Sequence, residues 1–184
     1  MILNFEDVVL KPQKCAVKSR SECDTTAKLG KNTFSVPVVA ANMKSILTPE
    51  ICRQFDEENW FYVYHRINGV QDVYNFVAYA NVPLRFTEKP FNIVSISVGI
   101  KDEWVLFVES CKKFGQRIDY FTVDIAHSHT ESILPILITI RNCYPDAYII
   151  CGNGCTKEWV QWIESLGLVD CIKVGIGVSK ACRT

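Results

Sequence analysis

The chain has no net charge, no long apolar run and no paired cysteines. Its 20 lysines and arginines are matched by 20 aspartates and glutamates. No field of one sign therefore draws it toward nucleic acid or an anionic membrane surface. No apolar run approaches the roughly 20 residues that a membrane-crossing helix needs. The opening, MILNFEDVVLKP, lacks the basic flank and apolar centre of a secretory signal, so the expectation is a cytoplasmic protein. The nine cysteines, at 15, 23, 52, 111, 143, 151, 155, 171 and 182, form no CxxC pair. Cys151 and Cys155 have no further Cys or His at zinc spacing. Reduced thiols are expected, with neither a disulfide framework nor a structural metal. Cys52, Cys111 and Cys143 fall in helical apolar patterns and read as small core fillers. The three histidines, His65, His127 and His129, read as hydrogen-bonded structural residues, because two at spacing two make a poor zinc site without a third ligand. No GxGxxG follows the first apolar run, which argues against the classical dinucleotide fold.

What is present is a regular alternation. Residues 1–36 read as an irregular lead-in, with Phe5–Leu10 a short strand stopped by Pro12. Apolar runs then recur at 38–43, 60–65, 93–98, 120–125, 148–150 and 171–174. Amphipathic stretches lie between them, and several have sharp boundaries. Thr48 stands as an N-cap before Pro49, Asp102 and Thr156 stand as further caps, and Gly115 and Gly167 close two helices. Thr130 opens another helix, whose first turn Pro135 would kink. Six strands alternating with five helices demand a parallel sheet covered by helices. Two closures fit: an open doubly wound sheet, or part of an eight-stranded barrel, which usually takes roughly 250 residues.

Polar residues gather just past the strands: Asn42, His65 with Arg66, Asp124 with His127 and His129, and Asn153. Both closures put their chemistry on that edge. The last such stretch, GIGVSKACRT from Gly175 to Thr184, carries Cys182 and, two residues on, Thr184. By position alone it is either a thiol presented from a strand end or an ordinary thiol in a terminal loop.

Seven short motifs resolve that choice. SRSECDT at 19–25, PVVAANM at 37–43, FYVYHR at 61–66, SISVG at 95–99, VDIAH at 123–127, CGN at 151–153 and KVGIG at 173–177 keep a common order and spacing. In them the chain resembles the GMP reductases, which share a barrel superfamily with the IMP dehydrogenases. AANM favours the reductases, as does the short step between the second and third strands. The resemblance implies an α/β fold, a partial TIM (β/α)8 barrel of about six of its eight units. Residues 1–36 would lead into an incomplete barrel domain, 37–184, that ends just after the cysteine loop.

The resemblance also implies a reaction: NADPH-dependent conversion of GMP to IMP and ammonia. Cys182 matches the nucleophile that attacks purine C2 to leave a thioimidate, and Thr184 the hydroxyl that moves the proton. A thiolate is the competent form, so its site must favour the anion. Lys180 would help electrostatically near the substrate. Asp124, Ile125 and Ala126 match the segment that carries the nicotinamide cofactor. Asn153 lies near the reacting ring. Ser19 and Arg20 match a cofactor contact from a neighbouring subunit of a tetramer. Met43, next to Asn42, matches a residue packing near the purine. Gly177, Ser179 and Cys182 match backbone carbonyl ligands of a potassium ion.

Three motifs depart from the family pattern. The turn reads GIGVS where GIGPG is usual, AHSHT puts Ser128 in place of a glycine, and CGNG replaces AGNV. A reductase also continues well beyond its cysteine, through its phosphate-binding segments. The expectation is a truncated relative, inactive alone or needing a complementing chain. Two alternatives accompany it: oxidation of IMP as in IMP dehydrogenase, and a non-catalytic chain that joins full-length reductase subunits.

Overall fold

The computed structural model describes residues 9–82 and 89–176. Its centre is a parallel sheet of four strands in the order β3 (Ser95–Val98), β4 (Tyr120–Asp124), β5 (Tyr148–Gly154) and β6 (Cys171–Val174). All four residues of β3 are buried, as a parallel strand covered on both faces requires. The helices are α1 (Pro49–Glu57), α2 (Val70–Asn81), α3 (Asp102–Lys113), α4 (Leu134–Cys143) and α5 (Lys157–Leu166). No described helix is long and apolar enough to cross a membrane.

The helix boundaries follow local chemistry. Thr48 and Thr156 accept hydrogen bonds from the backbone N–H groups of Ile51 and Trp159, and Pro49 fills the first position of α1. Asp102 is not the cap of α3. Lys101 takes that position, and Asp102 and Glu103 sit in the first turn, opposite Lys112 and Lys113 in the last. Both pairs complement the helix dipole. Trp104, Phe107, Val108 and Cys111 form the buried stripe of α3 at the 3.6-residue period. Pro135 does not kink a helix. A short 3-10 turn, Glu131–Ile133, precedes α4, and the proline lies in its first turn, where no N–H is needed.

Two stretches differ from the sequence reading. Residues 37–43 form no strand, and Val38 and Val39 are 68% and 51% exposed. A strand needs a neighbour for its N–H and C=O groups, and none among the described residues runs beside this one. Residues 60–65 lie along β3 but pair with it through one bridge, Tyr64 to Ile96. Tyr64 N donates to Ser95 O at 3.0 Å, and Ser97 N donates to Tyr64 O at 2.8 Å.

The lead-in also contains order that the sequence reading lacks. β1 (Ala27–Leu29) and β2 (Asn32–Phe34) make an antiparallel hairpin turning at Gly30. It covers the N-terminal end of the sheet. Tyr120 OH donates to Leu29 O at 2.8 Å and accepts from Asn32 Nδ2 at 2.7 Å. Phe34 and Phe61 pack on each other and on the Tyr120 ring. With that end closed, the polar groups collect at the other.

Candidate active site

Asp124 is the last residue of β4, at the C-terminal edge of the sheet, where a parallel α/β fold carries its chemistry. Three segments converge on it. Asn42 Nδ2 donates to Oδ2 at 2.7 Å, and Lys173 Nζ to Oδ1 at 2.7 Å. Arg66 donates to the Asp124 carbonyl through Nε at 3.2 Å and Nη2 at 2.8 Å. Residues 37–43 thus reach the sheet through an asparagine side chain rather than a backbone ladder.

The register explains how Lys173 arrives. Asp124 pairs with Gly152, and Gly152 with Lys173, so the three lie in one row across the sheet. The lysine and aspartate side chains together bridge two strand spacings, about 9–10 Å. They meet over a residue without a side chain. A Cβ on Gly152 would lie 2.5 Å from Lys173 Cβ and 2.9 Å from Lys173 O.

Beyond β4 the chain stays tied to β5. Ile125 N donates to Gly152 O at 2.9 Å, and Asn153 N to Ile125 O at 2.7 Å. Ser128, which replaces a glycine of the family pattern, is buried. Its N–H and its hydroxyl both donate to Asn153 O, at 2.9 and 3.0 Å. The substitution therefore adds a buried hydroxyl that has an acceptor. Asn153 Nδ2 in turn donates to Gly175 O at 2.9 Å. That bond ties the end of β5 to the segment leading toward Cys182. Ile125, next in the chain, is half-buried and packs against the core, and Ala126 is exposed.

The structure thus brings together Asn42, Asp124, Ile125, Ala126 and Asn153 from the sequence reading. It adds Arg66, Lys173 and Gly152. Lys173 was detectable as the one charge in the apolar run CIKV, while Gly152 becomes meaningful only through strand register. Met43 is half-exposed next to Asn42. Ser19 and Arg20 stand apart in an exposed turn, where Ser19 Oγ accepts from Ser21 N at 3.4 Å. Gly177, Ser179, Lys180, Cys182 and Thr184 lie outside the described residues.

Burial pushes the Cys52 and Cys111 thiols up to about 12 and Cys151 to about 11. These three are protonated, unreactive fillers at neutral pH. Cys143 is only half-buried. His65 is 2% exposed, stacks on Tyr64 with centroids 4.6 Å apart, and its Nδ1 has no partner. His127 and His129 are exposed, and His129 packs near Trp162. Among the described residues no three His, Cys, Asp or Glu side chains cluster as a metal site would require.

Residues 2–184 match the family model described as IMP dehydrogenase / GMP reductase domain. The chain belongs to the IMP dehydrogenase/GMP reductase family. Its curated relatives include proteins named GMP reductase from Helicobacter pylori strain J99, 42% identical over 184 residues, and from Enterococcus faecalis, 40% identical over 184 residues. Another, from Oceanobacillus iheyensis, is 38% identical over 189 residues. Each match takes in 100% of this chain but only 53 or 54% of the relative. The chain spans about half the length of the curated relatives it matches. The four parallel strands and their helices fit the barrel architecture of the family, although the described strands do not close a barrel.

Proposed function

We propose that this chain serves the NADPH-dependent reductive deamination of GMP to IMP and ammonia. The observation that carries the reading is the grip on Asp124, next in the chain to Ile125 and Ala126, together with the Asn153–Gly175 bond toward Cys182. The name shared by the relatives supports the reductase over the dehydrogenase.

The described residues suit a nicotinamide cofactor. Each Asp124 oxygen accepts one hydrogen bond from a side chain and keeps capacity for a ribose hydroxyl or a carboxamide N–H. Ile125 and Ala126 offer the adjoining apolar surface, and Asn153 is held near it. When bound, NADPH supplies the hydride that reduces purine C2. Cys182, as thiolate, forms the bond to C2 while the amine leaves as ammonia, and a thioimidate remains on the sulfur. Thr184 passes a proton to the departing amine. After C2 is reduced, the C–S bond breaks, the thiolate is restored and IMP is released. Asn42 and Met43 face the substrate, and Lys180 favours the thiolate and the bound anion. Backbone carbonyls of Gly177, Ser179 and Cys182 would hold potassium.

Assembly of several copies in the cytoplasm belongs to the same reading. Residues 9–26 are exposed throughout, which suits an arm delivering Ser19 and Arg20 to a neighbouring copy. The test is loss of nicotinamide absorbance from NADPH with GMP, in parallel with IMP and NAD. GMP-dependent oxidation supports the proposal. Production of xanthosine monophosphate from IMP instead makes the chain a dehydrogenase. A chain inert in both assays that co-purifies with a longer reductase subunit is a non-catalytic partner.

A further inference from the structure

The row Asp124–Gly152–Lys173 has a feature that an incidental ion pair lacks. Lys173 lies on β6 and Asp124 on β4, and the strand between them contributes no side chain where the lysine crosses. Lys173 and Asp124 are both half-buried, with side chains 37% and 24% exposed. A pair this open to solvent contributes little to stability. Laying a long side chain across a strand also costs rotamer freedom. What the arrangement does achieve is orientation. Oδ1 is fixed by Lys173, Oδ2 by Asn42 and the Asp124 carbonyl by Arg66. The carboxylate is thereby held from opposite sides.

We propose that Lys173 is the positioning residue for the Asp124 carboxylate, and that Gly152 is the gap through which it acts. This rests on the reading of Asp124–Ala126 as the segment that carries the nicotinamide cofactor. Lys173 works through Asp124 and need not touch the cofactor. Its removal frees the carboxylate to rotate, and dinucleotide binding weakens while GMP binding does not.

The experiment compares the 184-residue chain with K173M, K173R, D124N and the double variant D124N/K173M. NADPH binding is followed by nicotinamide fluorescence and GMP binding by calorimetry. K173M keeps most of the length of the side chain and removes its charge. It is expected to weaken NADPH about tenfold, with K173R restoring binding to within about threefold, as a charge-assisted contact predicts. In the D124N background, K173M should add less than about twofold, because the two act as one unit. An equal loss in both backgrounds overturns the proposal, since the lysine would then act on the ligand itself. No loss in the Asp124 background also overturns it. In parallel, the acetylation rate of Lys173, read by mass spectrometry, should rise severalfold in D124N. If the unaltered chain does not bind NADPH, the nicotinamide reading has failed, and the labelling alone judges the pair. Unchanged rates then overturn the positioning role, and faster rates sustain it.

Discussion

Asn42 donates to the carboxylate of Asp124 across 82 residues of chain, at 2.7 Å. This bond fastens a stretch that has no strand partner among the described residues. Asn42→Ala should therefore loosen residues 37–43 more than the sheet. We expect a loss of about 1–2 kcal/mol, as for a partly buried bond to a charged acceptor, read from urea denaturation. Amide exchange should quicken around 40–47 and stay slow in β3–β5. Uniform quickening would show that the tie is not local.

Gly30 and Gly167 share a φ of +63° but differ in what surrounds them. Both occupy the left-handed region, where an L side chain is strained by about 1 kcal/mol. A Cβ at Gly167 would meet open space, while one at Gly30 would lie 2.7 Å from the Tyr148 ring. Gly30→Ala should lower the melting temperature clearly more than Gly167→Ala. Equal shifts would mean that the hairpin does not rest on Tyr148 in solution.

Burial lowers the pKa of His65 from its ordinary 6.5. In the unfolded chain the imidazole takes up a proton near that value, and in the folded protein only at lower pH. The unfolded state thus binds more protons between the two, and stability falls as pH drops below about 6.5. The contribution is complete above that point. His65→Gln should flatten the decline in urea midpoint between neutral and mildly acidic pH. An unchanged slope would assign the decline to other groups.

The described cysteines should separate by reactivity. Cys15, Cys23 and Cys155 are exposed, whereas Cys52, Cys111 and Cys151 are buried with pKa values of about 11–12. A maleimide at neutral pH should modify the first three quickly and the others only after denaturant is added. Mass spectrometry of the peptides reads this directly, and rapid labelling of Cys111 would contradict its place in the core.

Much of this was legible in the sequence, and the exceptions have physical causes. Thr48, Thr156, Pro49 and Gly167 act where local chemistry places them, because caps and turns depend on near neighbours. The parallel strands 95–98, 120–124 and 171–174 follow from short apolar runs between helices. PVVAANM misleads because its apolar run has no strand beside it among the described residues, and composition does not reveal a missing partner. The hairpin was hidden because AKLGKNTF carries little apolar alternation. It is held by Tyr120, far along the chain. At the candidate site, Asp124, Asn42 and Asn153 were identifiable by their place just past apolar runs and then by resemblance. Lys173 and Gly152 required register, a property of paired strands that no single segment encodes.

The hairpin at residues 27–34 docks on Tyr120 through bonds that bridge 88 and 91 residues. During synthesis it leaves the ribosome long before its seat exists. Until β4 emerges, Phe34 and Phe61 stay in water without the tyrosine they pack against. The floor of this protein is therefore laid late, and a nascent chain paused before residue 120 offers an aromatic surface to whatever binds exposed apolar groups.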